Sequence, residues 1–325
     1  MTSFAHAIAA SAISSAEERA LYAALAEARK FRGATSPNPP VGAAAIAHDG
    51  QLLAVAAHEK MGEAHAEVRV LKACRARGVL HEISSLVVTL EPCNHTGKTP
   101  PCTVALREAG IRRVVFGARD PNPVAHGGEA ALRSAGIDVI QAQLGSETRT
   151  ACEELIAPFS HFVRTGTPWV TIKTAHREDG SMLPTPGQKT FTSPDSLRYA
   201  HELRRRCDAI ITGSGTVLAD DPSFTVQHVP DFADKRRLLA VLDRRGRVPD
   251  AWLAHAAERS LIARRFTDIG ACLAFLGQHE VVEALVETGP TLSQLILDSG
   301  VWQEHVSIQC RTGMPDLITH VYRNH

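Results

Sequence analysis

Four side chains in the first third of the chain have the types and the spacing that metal chemistry needs. His65 is followed two positions later by Glu67. Cys93 and Cys102 come after an apolar run that ends at Leu90. Imidazole and thiolate are preferred zinc ligands, and a catalytic zinc keeps three protein ligands and one open position. We therefore predict a catalytic zinc bound by His65, Cys93 and Cys102.

Glu67 completes the predicted site as its proton carrier. A carboxylate close to a metal ligand can take a proton from the water that the metal activates and pass it to a leaving group. The alternative is a structural zinc, which prefers a fourth protein ligand, and His95 is the side chain that could supply it. The order His-x-Glu followed by Pro-Cys favours catalysis, because zinc deaminases carry a similar signature.

Predicted strands and helices alternate around these residues. Helical spacing predicts α-helices over residues 16–31, 67–77, 102–109 and 128–135, with Ser15 as the N-cap of the first. Short apolar runs predict strands over residues 41–47, 51–56, 86–90, 113–117 and 138–141. The alternation is typical of an α/β layered sheet, and it places both halves of the metal motif at strand-to-helix junctions.

The second half of the chain continues the alternation after a break. Residues 164–168 predict a connector, so we expect a flexible tail over 1–15, a zinc-dependent domain over 16–164 and a second domain over 165–325. Helices are predicted over residues 193–206, with Ser193 as N-cap, 269–276 and 291–298. Strands are predicted over residues 169–174, 209–212, 238–242, 260–263, 281–286 and, as the final strand, 305–308.

Composition disfavours several classes of partner. The 325-residue chain has 35 basic and 35 acidic residues, so no net charge attracts nucleic acid. No apolar run reaches the roughly 18 residues of a membrane span, and the N-terminus lacks the basic segment of a secretion signal. Seven scattered cysteines favour reduced thiols. We therefore expect a cytoplasmic protein that binds neither nucleic acid nor membrane.

The residues between the two cysteines make the prediction more specific. Deaminases of nucleic acids and free nucleosides space their cysteines as Cys-x-x-Cys, whereas eight residues separate Cys93 from Cys102. The segment Pro-Cys-Asn-His-Thr-Gly-Lys-Thr-Pro-Pro-Cys over residues 92–102 resembles the deaminase of riboflavin biosynthesis. Residues 36–42, 62–67 and 120–123 are similar to the same family, so the resemblance covers nearly the whole first domain.

This resemblance implies a fold, a reaction and a set of substrate contacts. The fold is a cytidine-deaminase-like three-layer α/β/α domain. The reaction is the zinc-dependent hydrolytic deamination of 2,5-diamino-6-(5-phosphoribosylamino)pyrimidin-4-one to 5-amino-6-(5-phosphoribosylamino)uracil. The small-molecule substrate is anionic, which suits a flexible cation such as lysine. The matching positions for substrate contacts are Asn38, His58, His95 and Lys98.

The second half resembles the reductase domain of bifunctional members of this family. That domain has a dihydrofolate-reductase-like α/β fold and uses NADPH, and family members associate through it, which implies a homo-oligomer, either a dimer or a tetramer. The resemblance places the reductase-like site at Lys173, Thr192, Asp220 and Glu287. It places the cofactor contacts, where backbone amides would meet phosphates, at Gly213, Gly215, Thr216 and Gly289.

Departures from the family pattern predict that reductase activity is weak, altered or absent. Arg177 and Glu178 replace a small and an apolar residue, and we expect their charges to disturb packing or ligand fit. Gln227 stands where the family has a cation that would bind substrate phosphate. Thr288 is expected to crowd a loop that approaches a dinucleotide, and Thr190 stands where the family usually has Trp.

Three alternatives stay open at this point. One is the full bifunctional deaminase and NADPH reductase, and a second is a paralogue that serves a specialised pterin-like metabolite. The third is a nucleic-acid deaminase or a non-catalytic binding protein, which the zero net charge and the cysteine spacing disfavour. The chain ends at His325, about one strand past residues 304–308, so we also expect a truncated second domain.

Overall fold

The computed structural model describes residues 12–323, with the exception of 97–99, 125–126, 186, 189 and 260. The chain divides into two units, Met1–Arg164 and Thr165–His325, which we call the first and the second unit. A sheet of five strands and a sheet of seven strands lie in the described residues. Across the same ranges, no helix is both long enough and apolar enough to cross a membrane.

The first unit is built on a mixed sheet with the strand order β2-β1-β3-β4-β5. Strand β1 is antiparallel to both β2 and β3, whereas β4 and β5 continue parallel to β3. The strands are β1 (Gly42–Ala47), β2 (Leu52–Ala57), β3 (Ile83–Leu90), β4 (Arg113–Ala118) and β5 (Asp138–Gln141). The helices are α1 (Ser15–Arg29), α2 (Ala66–Ala76), α3 (Cys102–Glu108), α4 (Gly128–Ser134), α5 (Glu147–Leu155) and α6 (Ala157–Thr165).

Small side chains on β1 let helices pack closely on both faces of this sheet. Ala44 belongs to a core cluster with Ala24 of α1, and the next residue, Ala45, belongs to a second cluster with Val70 of α2. Successive side chains of a strand point to opposite faces, so the two helices cover opposite sides. A Cβ on Gly42 would lie 2.0 Å from the carbonyl oxygen of Ala24, which shows how close α1 comes. The predicted three-layer arrangement is present.

The N-cap of α1 is Ser14, so the prediction of Ser15 was wrong. The Ser14 hydroxyl accepts a hydrogen bond from the Glu17 N–H at 3.2 Å, and the Glu17 carboxylate accepts one from the Ser14 N–H at 2.7 Å. This capping box pairs two amides at the end of the helix. Residues 1–11, most of the predicted tail, lie outside the described residues.

The second unit is a seven-stranded sheet with the order β12-β11-β6-β10-β7-β8-β9. The β11–β12 pair is antiparallel, and the other neighbouring pairs are parallel. The strands are β6 (Trp169–His176), β7 (Ala209–Gly213), β8 (Arg237–Leu242), β9 (Leu261–Phe266), β10 (Glu283–Glu287), β11 (Glu304–Gln309) and β12 (Leu317–Tyr322). The helices are α7 (Pro194–Arg206), α8 (Ser214–Asp220), α9 (Asp250–Glu258), α10 (Ile269–Gln278) and α11 (Pro290–Ser299).

Two predictions about segment limits were wrong. The strand predicted as the final one corresponds to β11, but β12 follows it and pairs with it along six residues. Most side chains of β12 are exposed, so its sequence lacks the pattern of a strand with one buried face. The predicted connector over residues 164–168 begins inside a helix, because α6 continues through Thr165.

Glu17 ties α1 to the sheet through a buried ion pair. Its carboxylate accepts hydrogen bonds from Arg113 Nε at 2.6 Å and from Ser85 Oγ at 2.8 Å. Burial raises the pKa of Glu17, but the bonds from Arg113, the Ser14 amide and Ser85 outweigh burial and lower the pKa to about 2. The folded pKa thus lies below the unfolded value of 4.5, so ionised Glu17 stabilises the fold above pH 4.5 and loses this effect as the pH falls toward 2.

The substitution Glu17→Gln should lower the free energy of unfolding of the first unit by about 2–3 kcal/mol at pH 7. The deficit should shrink as the pH falls below 4.5. All three tryptophans lie in the second unit, so tryptophan fluorescence does not report on unfolding of the first. Unfolding in urea should instead be monitored by hydrogen exchange in peptides from α1 and β3. Glu27→Gln is the control, because Glu27 pairs with Lys30 near the surface. An equal deficit at pH 7 and at about pH 3 would contradict the expectation.

Candidate metal centre and active site

Three side chains from three elements converge where β3 ends. His65 directly precedes α2, Cys93 lies in the turn after β3, and Cys102 is the first residue of α3. His65 Nδ1 lies 3.3 Å from Cys102 Sγ and 3.5 Å from Cys93 Sγ. The three donor atoms all lie within 4.8 Å of one another. The structure thus brings together the three residues that the sequence predicts as ligands.

These separations fit a tetrahedral zinc. With Zn–N bonds of about 2.1 Å and Zn–S bonds of about 2.3 Å, tetrahedral geometry separates the donor atoms by about 3.5–3.8 Å. Within the described part of the chain, the cluster has no fourth ligand, and His95 does not belong to it. Three protein ligands leave one position open, which is the arrangement of catalytic zinc sites and not of structural ones.

The two cysteine thiols differ in their readiness to ionise. A hydrogen bond from Cys102, helped by one from His65, outweighs burial and lowers the pKa of Cys93 to about 4. The same bond to Cys93, together with burial, raises the pKa of Cys102 well above its usual range. The pKa of His65 is raised, mainly by its hydrogen bond to Cys93. A divalent cation beside the pair would favour ionisation of the second thiol as well.

Glu67 lies beside this cluster as a buried carboxyl group. It belongs to the first turn of α2, two residues past His65, and it is 3% exposed. Burial is the main cause that raises the pKa of Glu67, and the negative charge of Cys93 adds to the rise. A carboxyl group with a raised pKa both accepts and releases protons readily, so the position suits general acid–base catalysis.

The turn that carries Cys93 is tied to the start of α3. Thr103 donates its N–H to the Cys93 carbonyl at 3.3 Å, and its hydroxyl donates to Asn94 Oδ1 at 2.9 Å. The Cys102 N–H also donates to Cys93 Sγ at 3.4 Å. These bonds hold the two cysteines in a fixed relation although eight residues separate them in the sequence.

The predicted substrate contacts lie in different environments. His58 is 2% exposed, and the centroid of its ring lies 5.2 Å from that of His65. Burial lowers the pKa of His58. Among the described residues, neither Nε2 of His58 nor Nδ1 of His95 has a hydrogen-bond partner. Asn38 is exposed in the loop before β1, and Lys98 lies outside the described residues.

A cavity of about 420 Å³ adjoins the residue that precedes the ligand turn. Its lining includes Glu91, Arg119, Asp120 and Glu129, none of which was predicted from the sequence to contribute to the site. Burial raises the pKa of Asp120, and the negative charges of Glu91 and Cys93 add to the rise. The sequence feature that could have indicated this cavity is the Asp-Pro-Asn-Pro segment over residues 120–123. It resembles the family, but no function was predicted for it.

In the second unit, Lys173, Arg204 and Glu287 form a cluster of ion pairs. Glu287 Oε2 accepts from Arg204 Nε at 2.6 Å, and Lys173 Nζ lies 3.3 Å from Oε1. Burial raises the pKa of Glu287, but the two cations outweigh burial and lower the pKa to about 2. Arg204 was missed, because a run of three arginines at the end of a helix is typical of a solvated face.

The residues predicted to contact the cofactor lie at and beyond the ends of the neighbouring strands β7 and β10. The Gly289 N–H donates to Thr216 Oγ1 at 3.1 Å. Gly213 ends β7, and a Cβ there would lie 3.0 Å from Thr288 Oγ1, so the Thr288 side chain fills the space beside this glycine. Gly215 is exposed in the first turn of α8.

Two further residues of the predicted reductase-like site lie outside these contacts. The hydroxyl of Thr192 lies 3.1 Å from that of Thr190, the position where the family usually has Trp. Asp220 is exposed at the end of α8. The side-chain amide of Gln227 donates to Thr225 Oγ1 at 3.0 Å, so this residue contributes a neutral donor and no cation.

The charges of Arg177 and Glu178 find partners and do not disturb packing, whereas their expected effect on ligand fit stays a prediction. Arg177 pairs with Asp179 at 3.2 Å, and Glu178 accepts a hydrogen bond from the Thr312 N–H. Glu178 and Asp179 are exposed, so solvent and these partners accommodate the charges without a cost to the core.

Two protein-family models match the chain. The model of the cytidine and deoxycytidylate deaminase zinc-binding region matches residues 14–118, which include the three clustered ligands and Glu67. The model of the RibD C-terminal domain matches residues 168–309. The predicted fold class is confirmed, with a cytidine-deaminase-like first unit and a reductase-like second unit.

Known relatives match along most of their length. The riboflavin biosynthesis protein RibD of Corynebacterium ammoniagenes is 36% identical over 285 residues, which is 87% of this chain and 82% of the relative. The structure of Acinetobacter baumannii RibD matches with a TM-score of 0.77 at 29% identity, over 92% of this chain and 88% of that one. A Thermotoga maritima diaminohydroxyphosphoribosylaminopyrimidine deaminase/5-amino-6-(5-phosphoribosylamino)uracil reductase matches with a TM-score of 0.75 at 30% identity, with the same coverage. The chain therefore belongs to the RibD family of riboflavin biosynthesis proteins.

Proposed function

We propose that the first unit is a zinc-dependent aminohydrolase and that residues 16–164 form its domain. It converts 2,5-diamino-6-(5-phosphoribosylamino)pyrimidin-4-one to 5-amino-6-(5-phosphoribosylamino)uracil with release of ammonia. The observation that carries the proposal is the convergence of one imidazole and two thiols, within 4.8 Å, beside the buried carboxyl group of Glu67. The name of the Thermotoga maritima relative supports the choice of substrate.

His65, Cys93 and Cys102 would hold the zinc, since their number, softness and spacing suit this metal. When bound, zinc supplies a Lewis acid that makes water a nucleophile near neutral pH. Glu67 takes the proton from the attacking water and delivers it to the departing amino group. Its burial keeps bulk water from competing for that proton.

The remaining groups of the site bind and orient the substrate. His58 Nε2 and His95 Nδ1, which lack partners in the described part of the chain, are assigned to the polar edge of the pyrimidine, because buried polar atoms need partners. Asn38 and Lys98 are assigned to the substrate by the family resemblance. Arg119 lines the cavity and is assigned to the substrate phosphate. Its guanidinium pairs with the Glu129 carboxylate at 2.9 Å, so the phosphate would compete with Glu129 for it.

The second unit, residues 165–325, is proposed as a reductase-like domain with weak or altered NADPH-dependent activity. Lys173, Arg204 and Glu287 support a role in binding an anionic substrate, since two cations surround one carboxylate. Gln227 adds no positive charge, and Thr288 fills space beside Gly213. Both features reduce the affinity of a reductase site for phosphate groups. The full bifunctional activity is the competing proposal, which the family membership supports equally.

Removal of either thiolate ligand should remove the metal. We expect about one zinc per chain in the purified protein, and less than about a tenth of that in Cys93→Ser and Cys102→Ser after dialysis against a chelator, because two ligands do not retain zinc. Metal content is measured by atomic absorption. Cys310→Ser is the control, since Cys310 lies in the second unit and should leave the zinc content unchanged. Full zinc retention in both ligand variants would refute the assigned ligand set.

The variant Glu67→Gln should keep its zinc and lose about 10²- to 10⁴-fold in kcat, the range expected for a lost general acid–base group. The product is identified by mass spectrometry, and ammonia is measured directly by ion chromatography so that no nicotinamide cofactor enters the assay. Glu82→Gln, at an exposed position, is the matched control. The proposal would be refuted if the zinc-loaded wild type released no ammonia, or if Glu67→Gln released it at the wild-type rate.

Replacement of Gln227 by arginine, the charge type that the family has at this position, should raise the rate of NADPH oxidation. With the uracil-type product and NADPH, we expect slow oxidation by the wild type and a kcat/KM about 10- to 100-fold higher in Gln227→Arg, because a charge-assisted bond to phosphate is worth about 1.5–3 kcal/mol. Absorbance at about 340 nm follows NADPH oxidation. Gln143→Arg, an exposed glutamine in the first unit, controls for added charge. Wild-type oxidation as fast as deamination, with no gain from arginine, establishes the full bifunctional enzyme instead.

A further inference from the structure

Glu91 is a buried carboxylate next to the metal ligands that the proposed mechanism does not use. It links the end of β3 to the turn that carries Cys93, and it is 5% exposed. Its N–H donates to the Ala118 carbonyl at 2.8 Å. Its Oε1 accepts a hydrogen bond from the Glu129 N–H at 3.0 Å. Glu91 thus connects the sheet, the ligand turn and the first turn of α4.

The first turn of α4 has no capping side chain of its own. The N-cap residue is Gly127, which adopts φ 94° and offers no side-chain acceptor. An amide in the first turn of a helix needs an acceptor from elsewhere, and Glu91 supplies it to Glu129. The cap therefore comes from the segment that leads into the metal ligand.

The backbone of α4 also touches the ligand turn directly. A Cβ on Gly128 would lie 1.8 Å from the carbonyl oxygen of Pro92 and 3.6 Å from Cγ of Glu91. Only glycine allows this approach. Because α3 also bonds this turn through Thr103, the Cys93 turn is held by contacts from two helices, which we call the clamp.

We propose that Glu91 is a positioning residue that fixes the Cys93 thiolate for metal binding by holding α4 against the Pro92–Cys93 turn. This inference rests on the proposed zinc-dependent function. Cys93 is only half-buried, so the packing around its side chain constrains it less than packing constrains the fully buried Cys102. The clamp works through a hydrogen-bond acceptor at Oε1, and a neutral acceptor of the same length preserves it.

The test measures metal binding by the full-length chain. Glu91→Met keeps the length of the side chain and removes the acceptor, so zinc affinity from chelator competition should fall about 10- to 100-fold, the cost typical of lost support for a metal ligand. The Co²⁺-substituted protein should show a weaker thiolate-to-cobalt absorption band. Glu91→Gln keeps the acceptor and should restore both readouts. Saturating zinc should raise kcat of Glu91→Met toward the wild-type value.

A second variant tests the same clamp from the other side. Gly128→Ala forces α4 away from Pro92 and should weaken zinc binding and the cobalt band in the same direction as Glu91→Met. Glu129→Gln is the matched control: it keeps the N–H that Glu91 accepts and changes only the carboxylate that pairs with Arg119 and Arg133, so its zinc affinity should equal that of the wild type.

Each result decides the proposal. Wild-type zinc affinity and cobalt spectrum in Gly128→Ala or in folded Glu91→Met would overturn it, and so would equal losses in Glu91→Gln and Glu91→Met. If Glu91→Met does not fold, the test rests on the other two variants: zinc affinity should be unchanged in Glu91→Gln and reduced in Gly128→Ala. A wild-type chain that binds zinc without deaminating overturns the proposed function and leaves this inference standing, because none of the metal readouts requires substrate.

Discussion

The structure of the first unit depends on one constraint, which is that three ligand atoms from separate backbone segments must meet within 4.8 Å. His65 and Cys102 each stand at the start of a helix, and Cys93 lies in the turn after β3. Their positions therefore follow from how closely α2 and α3 pack on the sheet. The small residues of β1 permit that packing. A larger side chain at Gly42 would meet the backbone of α1 and displace the central layer from which the site is built.

The charges of the cluster favour the binding of a cation. Cys93 and Cys102 share a hydrogen bond, which favours one thiolate and opposes a second, and the buried Glu67 would add a third negative charge to the same region. Repulsion between like charges in a buried site costs more than it does in water. A bound divalent ion would reverse this balance by stabilising both thiolates, and Glu67 would then remain as the proposed proton carrier.

The sequence predicted that His65, Cys93 and Cys102 come together because their types and spacing are local properties. It predicted most helices and strands because periodicity is local too. It missed what tertiary structure decides. Arg204 and Glu287 are 83 residues apart, and nothing near Arg204 in the chain indicates that it turns toward a carboxylate. The pairing of Glu91 with the Glu129 amide spans 38 residues and is equally invisible. The prediction of Ser15 as the N-cap failed for a smaller reason: Ser14 and Ser15 are both serines, and the Ser14–Glu17 capping box identifies Ser14 in the structure.

The two units differ in how their charges are balanced, and this bears on their activities. In the second unit, Lys173 and Arg204 both contact Glu287, a buried carboxylate whose pKa is lowered to about 2. A phosphate bound beside them, as proposed, would compete with this carboxylate for the two cations. The two cations and the one carboxylate together carry a net charge of about +1, whereas a phosphate carries nearly two negative charges. A cation at position 227 would supply the missing charge, whereas the amide of Gln227 donates to Thr225. The proposed weakness of the reductase-like activity therefore has an electrostatic contribution from Gln227, in addition to the packing of Thr288 beside Gly213.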